Sequence, residues 1–307
     1  MAGRERKLME FFGHRGASAV APENTLASLR LAAEQGVAGA EFDLQLTRDG
    51  VLVLLHDDTL RRTGVPIRRP GDESSSDFDS YEESLDLALS DVEWLAVKET
   101  VDVGSWKGAR WEGERLATFG EALALLPEIN SRGGPSGGGA TKPFEYLVEM
   151  KRGDLDAVRV AAEMVRALDT VDAAKQLIFI SFSLPIIVEC RAAIACCRAL
   201  HIIRGVDGET PAALRKRVDA SLDAGATGID FSANPTYVTA GLVAHVHARG
   251  GTVGVWTTEK LPQSDTPECW AAMEAAGVDF FTSNLPAELP AYEAARREAA
   301  AAAGEMV

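Results

Sequence analysis

The chain has 307 residues, 46% of them hydrophobic, and a formal net charge of −15. That length and apolar content suit one substantial core, and so negative a field repels nucleic acid and anionic membrane surfaces, so neither is an expected partner. No uncharged apolar run of about 18 residues occurs, so no integral membrane segment is expected, and the charged residues 1–8 lack the apolar stretch of a secretory signal.

Short apolar runs bounded by turn residues predict strands at 9–12, 39–44, 146–150, 177–180, 200–203, 228–231, 252–256 and 279–282. Helical periodicity lies between most of them, at 25–35, 119–126, 155–168, 184–195, 211–224, 239–249 and 267–276. This alternation predicts an α/β fold, a closed parallel (β/α)₈ TIM barrel forming a single domain over residues 1–307. A doubly wound open sheet is the alternative, but no G-x-G-x-x-G follows the first strand.

A further strand at 51–56 falls outside the parallel count. Asp49-Gly50 reads as a two-residue hairpin turn, with Gly taking positive φ. Pairing about it sets Asp43 opposite His56 in an antiparallel arm above the barrel. Residues 61–114 read as an insertion over the C-terminal face, rich in Ser, Asp and Glu at 72–91. The Gly/Ser-rich stretch 131–141 reads as a flexible loop, and 291–307 as a fraying terminal helix. Cys190, Cys196, Cys197 and Cys269 form no C-x-x-C pair, which suggests free thiols in a reducing, cytoplasmic compartment.

The chemistry concentrates at strand ends. His14 and Arg15 follow the first strand directly, where barrel residues face the active site. A guanidinium there can fork onto phosphate oxygens, and Gly16 permits a sharp turn. Asn24 reads as the N-cap of the first helix, with Glu23 able to orient Arg15. Glu41 and Asp43, two apart on a strand, share one face in an otherwise apolar run. Buried carboxylates that close repel unless a cation or proton sits between them, and an oxygen-only donor set suits a hard cation, Mg²⁺ or Ca²⁺. His56 adds a group that titrates near neutrality. Glu149 can be a third carboxylate ligand, Lys151 a phosphate-binding cation, and Trp256 an aromatic wall or a packing residue. His201, His245 and His247 read as structural.

His14-Arg15-Gly16, Pro22-Glu23-Asn24-Thr25, Glu41-x-Asp43, Thr47-x-Asp49-Gly50 and His56-Asp57 together resemble the glycerophosphodiester phosphodiesterase family in order and spacing. Looser matches follow at Thr59–Thr63, Val103–Trp106, Glu149-x-Lys151, Trp256-Thr257 and Thr282–Pro286. The resemblance implies a TIM barrel with one divalent cation, Mg²⁺ or Ca²⁺ with Mn²⁺ as a third option, on Glu41, Asp43 and Glu149. It implies His14 and His56 as the acid/base pair and Arg15 and Lys151 as phosphoryl ligands, with a small-molecule glycerophosphodiester as substrate. Two departures stand out. Residues 64–101 are longer and more acidic than a short family insertion, and Asn284 closes a motif where aspartate is common. Cleavage of a lysophospholipid, or phosphodiester binding without turnover, are the rival functions.

Overall fold

The computed structural model describes residues 8–67, 83, 85–131, 142–151, 154–258 and 260–302. In chain order the elements are β1 (Glu10–Gly13), α1 (Leu26–Glu34), β2 (Gly39–Leu46), β3 (Leu52–Leu54), β4 (Val65–Pro66), α2 (Trp94–Thr100), β5 (Val101–Asp102) and α3 (Phe119–Ser131). They continue as β6 (Glu145–Met150), α4 (Leu155–Ala167), α5 (Ala173–Gln176), β7 (Leu177–Ser181), α6 (Leu184–Ala193), β8 (Arg198–Ile203), α7 (Pro211–Asp223), β9 (Gly228–Ser232), α8 (Ala240–Ala248), β10 (Thr252–Trp256), α9 (Pro267–Ala276), β11 (Phe280–Ser283) and α10 (Leu289–Ala302).

Eight strands pair in parallel in the order β1-β11-β10-β9-β8-β7-β6-β2, and β1 pairs β2 to close the ring. This is a (β/α)₈ barrel, with helices outside. Strand side chains alternate between two apolar environments, so the strands read as continuous apolar runs. Phe12, Leu147, Ile178, Ile180, Leu200, Ile202 and Phe280 fill the interior. The outward residues, such as Phe11, Phe42, Tyr146 and Phe179, pack under the helices. Gly39 and Gly254 make room for the interior rings: a Cβ on either would lie 2.3 Å from Phe12 or 2.2 Å from Phe280. Threonines cap α1, α7, α8 and α9, each hydroxyl accepting from a backbone N–H three residues on.

The hairpin arm is antiparallel, as β2 and β3, but its register differs from expectation. Leu44 pairs Leu54, and Leu55 N donates to Asp43 O, so Asp43 faces Leu55 and not His56. The turn holds three residues, Arg48, Asp49 and Gly50, because Thr47 N closes on Val51 O. Asp49 is fixed there by accepting from Thr47 Oγ1 and from Trp94 N at the start of α2. His56 lies past the end of β3, where the chain leaves the sheet.

The insertion forms the short pair β4–β5 and helix α2. Leu60, Leu85, Leu89, Trp94, Val97 and Val101 pack with Val53 and Leu55 into a second small core. Of the acidic stretch 72–91, residues 72–82 and 84 lie outside the described residues, as do 132–141 of the Gly/Ser-rich loop and 303–307 of the tail. The described part of α10 is anchored: Tyr292 stacks edge-on against Phe11 and Trp270. The histidines read as structural bridge outer elements, His201 to Ser221, His245 to Asp219 and His247 to Asp279.

Candidate active site

The turn after β1 is the first part of the site. Arg15 and Gly16 both have positive φ, 52° and 81°. Gly16 is required twice over, since a Cβ there would lie 2.4 Å from Ser28 Oγ and 2.6 Å from its backbone carbon. Ser28 Oγ donates to Arg15 O, and Arg15 N donates to Glu41 Oε2 at 2.8 Å. Ser28 in the first turn of α1 and Glu41 in β2 thereby fix where His14 and Arg15 point.

Glu41, Asp43 and Glu149 are buried, with ligand oxygens within 4.8 Å of one another. Burial, then the charge of Asp43, raises the Glu41 carboxyl well above its usual range. The same two causes push Glu149 up to about 7. Burial also opposes ionisation of Asp43, but Lys151 and Arg15 outweigh it and hold that carboxyl far below its usual range. Lys151 Nζ lies 2.9 Å from Asp43 Oδ1 and 2.6 Å from Glu149 Oε1. Even with the Arg15 guanidinium 3.5 Å from Asp43 Oδ2, three carboxyls face two cations, so the oxygen donor set fits a hard divalent cation.

His14 Nδ1 lies 2.6 Å from Asn284 Oδ1. An amide oxygen only accepts, so Nδ1 carries the hydrogen and Nε2 presents its lone pair, 3.9 Å from Glu41 Oε2. Asn284 is itself held by its N–H, which donates to Asp265. Burial, then the Arg15 charge, pushes His14 down to about 3. His56 Nδ1 lies 2.7 Å from Asp57 Oδ1, and Arg62 Nε donates to the other oxygen of that carboxylate. Arg62 also forks onto Glu23 at 2.7 and 2.8 Å, and Glu23 accepts from Arg15 Nη1 at 2.8 Å.

Two connected spaces follow. An outer basin of about 560 Å³ is lined by His14, Arg15, His56, Arg62, Arg204 and Trp256 among others. An inner pocket of about 50 Å³ lies deeper, against Glu41, Glu149, Lys151, Asp230 and Thr282. Arg204 covers the Phe182 and Trp256 rings at 4.5 and 5.1 Å.

The structure brings His14, Arg15, Glu41, Asp43, His56, Glu149, Lys151 and Trp256 to one end of the barrel. Asn24 departs from its expected place. The N-cap of α1 is Thr25, while Asn24, at φ 57°, donates from Nδ2 to Asp43 Oδ2 at 2.8 Å and accepts from Asp43 N at 3.1 Å. Arg62 and Asn284 fell within quoted motif stretches without a role being read for either, and Arg204 and Asp230 carried no local signal.

The profile of the Glycerophosphoryl diester phosphodiesterase family matches residues 14–288. A glycerophosphodiester phosphodiesterase of Caldanaerobacter subterraneus subsp. tengcongensis is 29% identical over 170 residues, 55% of this chain and 56% of that protein. Glycerophosphodiester phosphodiesterase 1 of Bos taurus is 52% identical over 60 residues, 20% of this chain and 18% of that one. The chain thus spans about half the length, or less, of these curated relatives. An Oleispira antarctica phosphodiesterase, solved in complex with the product sn-glycerol-3-phosphate, shares the fold at TM-score 0.69 and 22% identity, covering 93% of this chain and 96% of that one. The chain belongs to the glycerophosphoryl diester phosphodiesterase family.

Proposed function

We propose that this protein hydrolyses small glycerophosphodiesters to an alcohol and glycerol 3-phosphate, with a divalent cation, Mg²⁺, Ca²⁺ or Mn²⁺, held by Glu41, Asp43 and Glu149. The observation that carries this reading is the pair of histidines, His14 and His56, on one pocket with a buried carboxylate triad. When bound, the cation supplies charge that offsets the negative charge growing on the phosphoryl oxygens.

Arg15 and Lys151 hold the phosphoryl group from the protein side. His14 takes the proton from the attacking hydroxyl, because Asn284 keeps the ring hydrogen on Nδ1 and leaves the Nε2 lone pair free. His56 gives a proton to the departing alkoxide, its ring oriented by the contact between Nδ1 and the Asp57 carboxylate. The Trp256 ring lines both the basin and the inner pocket, between the two halves of the substrate. The attacking hydroxyl belongs to water or to the glycerol itself, and a cyclic phosphate in quenched reactions would identify the latter.

His14→Ala and His56→Ala should each lower kcat by about 10²–10⁴-fold towards glycerophosphocholine. A chelator should abolish turnover, and added Mg²⁺, Ca²⁺ or Mn²⁺ should restore it. Near-full activity in either variant sinks the acid/base assignment, and activity indifferent to chelator sinks the metal. Cleavage of lysophospholipids needs an apolar channel for the acyl chain. Among the described residues the basin lining is mostly polar or charged, which favours the short diesters. Paired assays on lysophosphatidylcholine and glycerophosphocholine separate the two, and binding without turnover would revive a non-catalytic barrel. A cytoplasmic, reducing compartment fits the four unpaired cysteines, and among the described residues no helix is long and apolar enough to cross a membrane.

A further inference from the structure

Asp230 is a buried carboxyl on the inner pocket that the chemistry above does not use. It sits on β9 facing the barrel interior, 1% exposed, and neither of its side-chain oxygens has a hydrogen-bond partner. On the next strand, in register with it, stands Gly254. A Cβ at Gly254 would lie 2.8 Å from Asp230 Oδ1 and 2.2 Å from the Phe280 ring, so only glycine lets the carboxyl and that ring share this level of the barrel. Two more orphaned groups line the same inner pocket. The Thr282 hydroxyl is 1% exposed, and neither Thr282 Oγ1 nor Trp256 Nε1 has a partner. Trp256 and Thr282 are themselves paired in register, so the three groups lie on the consecutive strands β9, β10 and β11.

One unsatisfied buried polar group costs roughly 1–3 kcal/mol, and native structures rarely keep one without a use. Three on one pocket wall point to a ligand that completes them. The chemistry of that ligand follows from the donors and acceptors. An indole N–H only donates, a hydroxyl does both, and a carboxyl accepts or, protonated, also donates. Adjacent hydroxyls on a short carbon chain match all three. The inner pocket, about 50 Å³ against about 560 Å³ outside and also lined by the metal-side acids Glu41 and Glu149, has room only for the smaller half of the substrate. Choline, inositol or any bulkier alcohol is left to the basin, and Arg15 and Lys151, which also line the inner pocket, sit where a phosphate would join the two halves.

Resting on the glycerophosphodiester reading, we propose that Asp230, Thr282 and Trp256 Nε1 form a polyol floor that holds the hydroxyls of the three-carbon half of the substrate. They are specificity residues: they touch the hydroxyls of the substrate and take no part in proton transfer. The test is calorimetric binding in Mg²⁺ of sn-glycerol 3-phosphate and of two analogues that each lack one of its hydroxyls, 1,2-propanediol 1-phosphate and 1,3-propanediol phosphate. Wild type, Asp230→Ala and the isosteric Thr282→Val are compared. The expected result is a loss of about 10- to 100-fold for glycerol 3-phosphate in Asp230→Ala, with a much smaller loss for an analogue lacking the hydroxyl that Asp230 holds. Thr282→Val should show the same selectivity, more weakly. An equal loss across all three ligands in both variants, or no loss, overturns the floor. Turnover of glycerophosphocholine by the wild type is measured alongside. If turnover is present and the hydroxyl coupling absent, the floor alone is wrong. A wild type that neither turns over the diester nor binds glycerol 3-phosphate overturns the functional reading and the floor together.

Discussion

Asn24 holds Asp43 at both ends, donating to its carboxylate at 2.8 Å and accepting from its backbone N–H at 3.1 Å. It does so from φ 57°, a region Asn tolerates better than most residues. Groups that orient a metal ligand typically matter to affinity by about 10–100-fold. Asn24→Ala should therefore weaken Mg²⁺ binding by about that factor, read as the Mg²⁺ concentration giving half-maximal activity. Asn24→Gly loses the same bonds but relieves the backbone, so it should bind metal as weakly while melting higher than Asn24→Ala. Equal melting of the two variants would show that the backbone strain is negligible. His14 gives a prediction in pH. Its folded pKa is pushed down to about 3 by burial and then by Arg15, against an ordinary value of 6.5. The unfolded chain thus binds the extra proton first, and stability is lost as pH falls below 6.5. From pH 6.5 to 5 the loss from this one ring is about 2 kcal/mol. His14→Gln should lose that much less over the same interval in urea titrations, and an unchanged pH slope would refute the shift.

The turn after β1 and the hairpin arm both depend on glycine, for different reasons. At Gly50, φ is 82° and a Cβ would meet nothing within 4 Å, so Gly50→Ala should cost only the backbone term, about 1 kcal/mol. At Gly16 the same change also drives a Cβ into the Ser28 backbone. Gly16→Ala should displace the loop carrying His14 and Arg15, losing activity well beyond its loss of stability, whereas Gly50→Ala should keep kcat. Similar activity losses in the two variants would count against this division. The same arm shows where a sequence stops being readable. The barrel was legible because parallel strands buried on both faces are apolar runs with glycines at set points, and the site was legible because Glu41-x-Asp43 puts two acids on one inward face. The hairpin slipped by one residue because Asp49 is held by Trp94 N, 45 positions away, which no local turn rule sees. Asn24 looked like a cap because its best partner, Asp43, lies 19 residues on. Asp230 gave no signal at all, since one acid in an apolar strand means something only once its neighbours are known.

Across the whole molecule the two ends of the barrel do different work. The strand C-terminal ends carry the acids, histidines and pocket, while the other end is closed by charge. There Glu145, 1% exposed, meets Lys142 Nζ at 2.6 Å and Arg198 Nη2 at 3.0 Å, and Lys142 also reaches Glu10 at 2.7 Å. Removing one member of a fully buried pair typically costs 3–5 kcal/mol, because its partner is left charged and dry. Here the partners can recover water, since the side chains of Lys142 and Arg198 are 45% and 31% exposed. Glu145→Ala should therefore cost less, about 2 kcal/mol, and Glu145→Leu less still because it refills the space. Both changes lie at the start of β6, while Glu149 and Lys151 lie at its end. If the rigid strand insulates the site, kcat and the Mg²⁺ requirement of both variants should match the wild type at temperatures where all are folded. Lowered kcat in a fully folded Glu145→Leu would instead mean that the charged closure sets the position of Glu149, and that stability and chemistry share this strand.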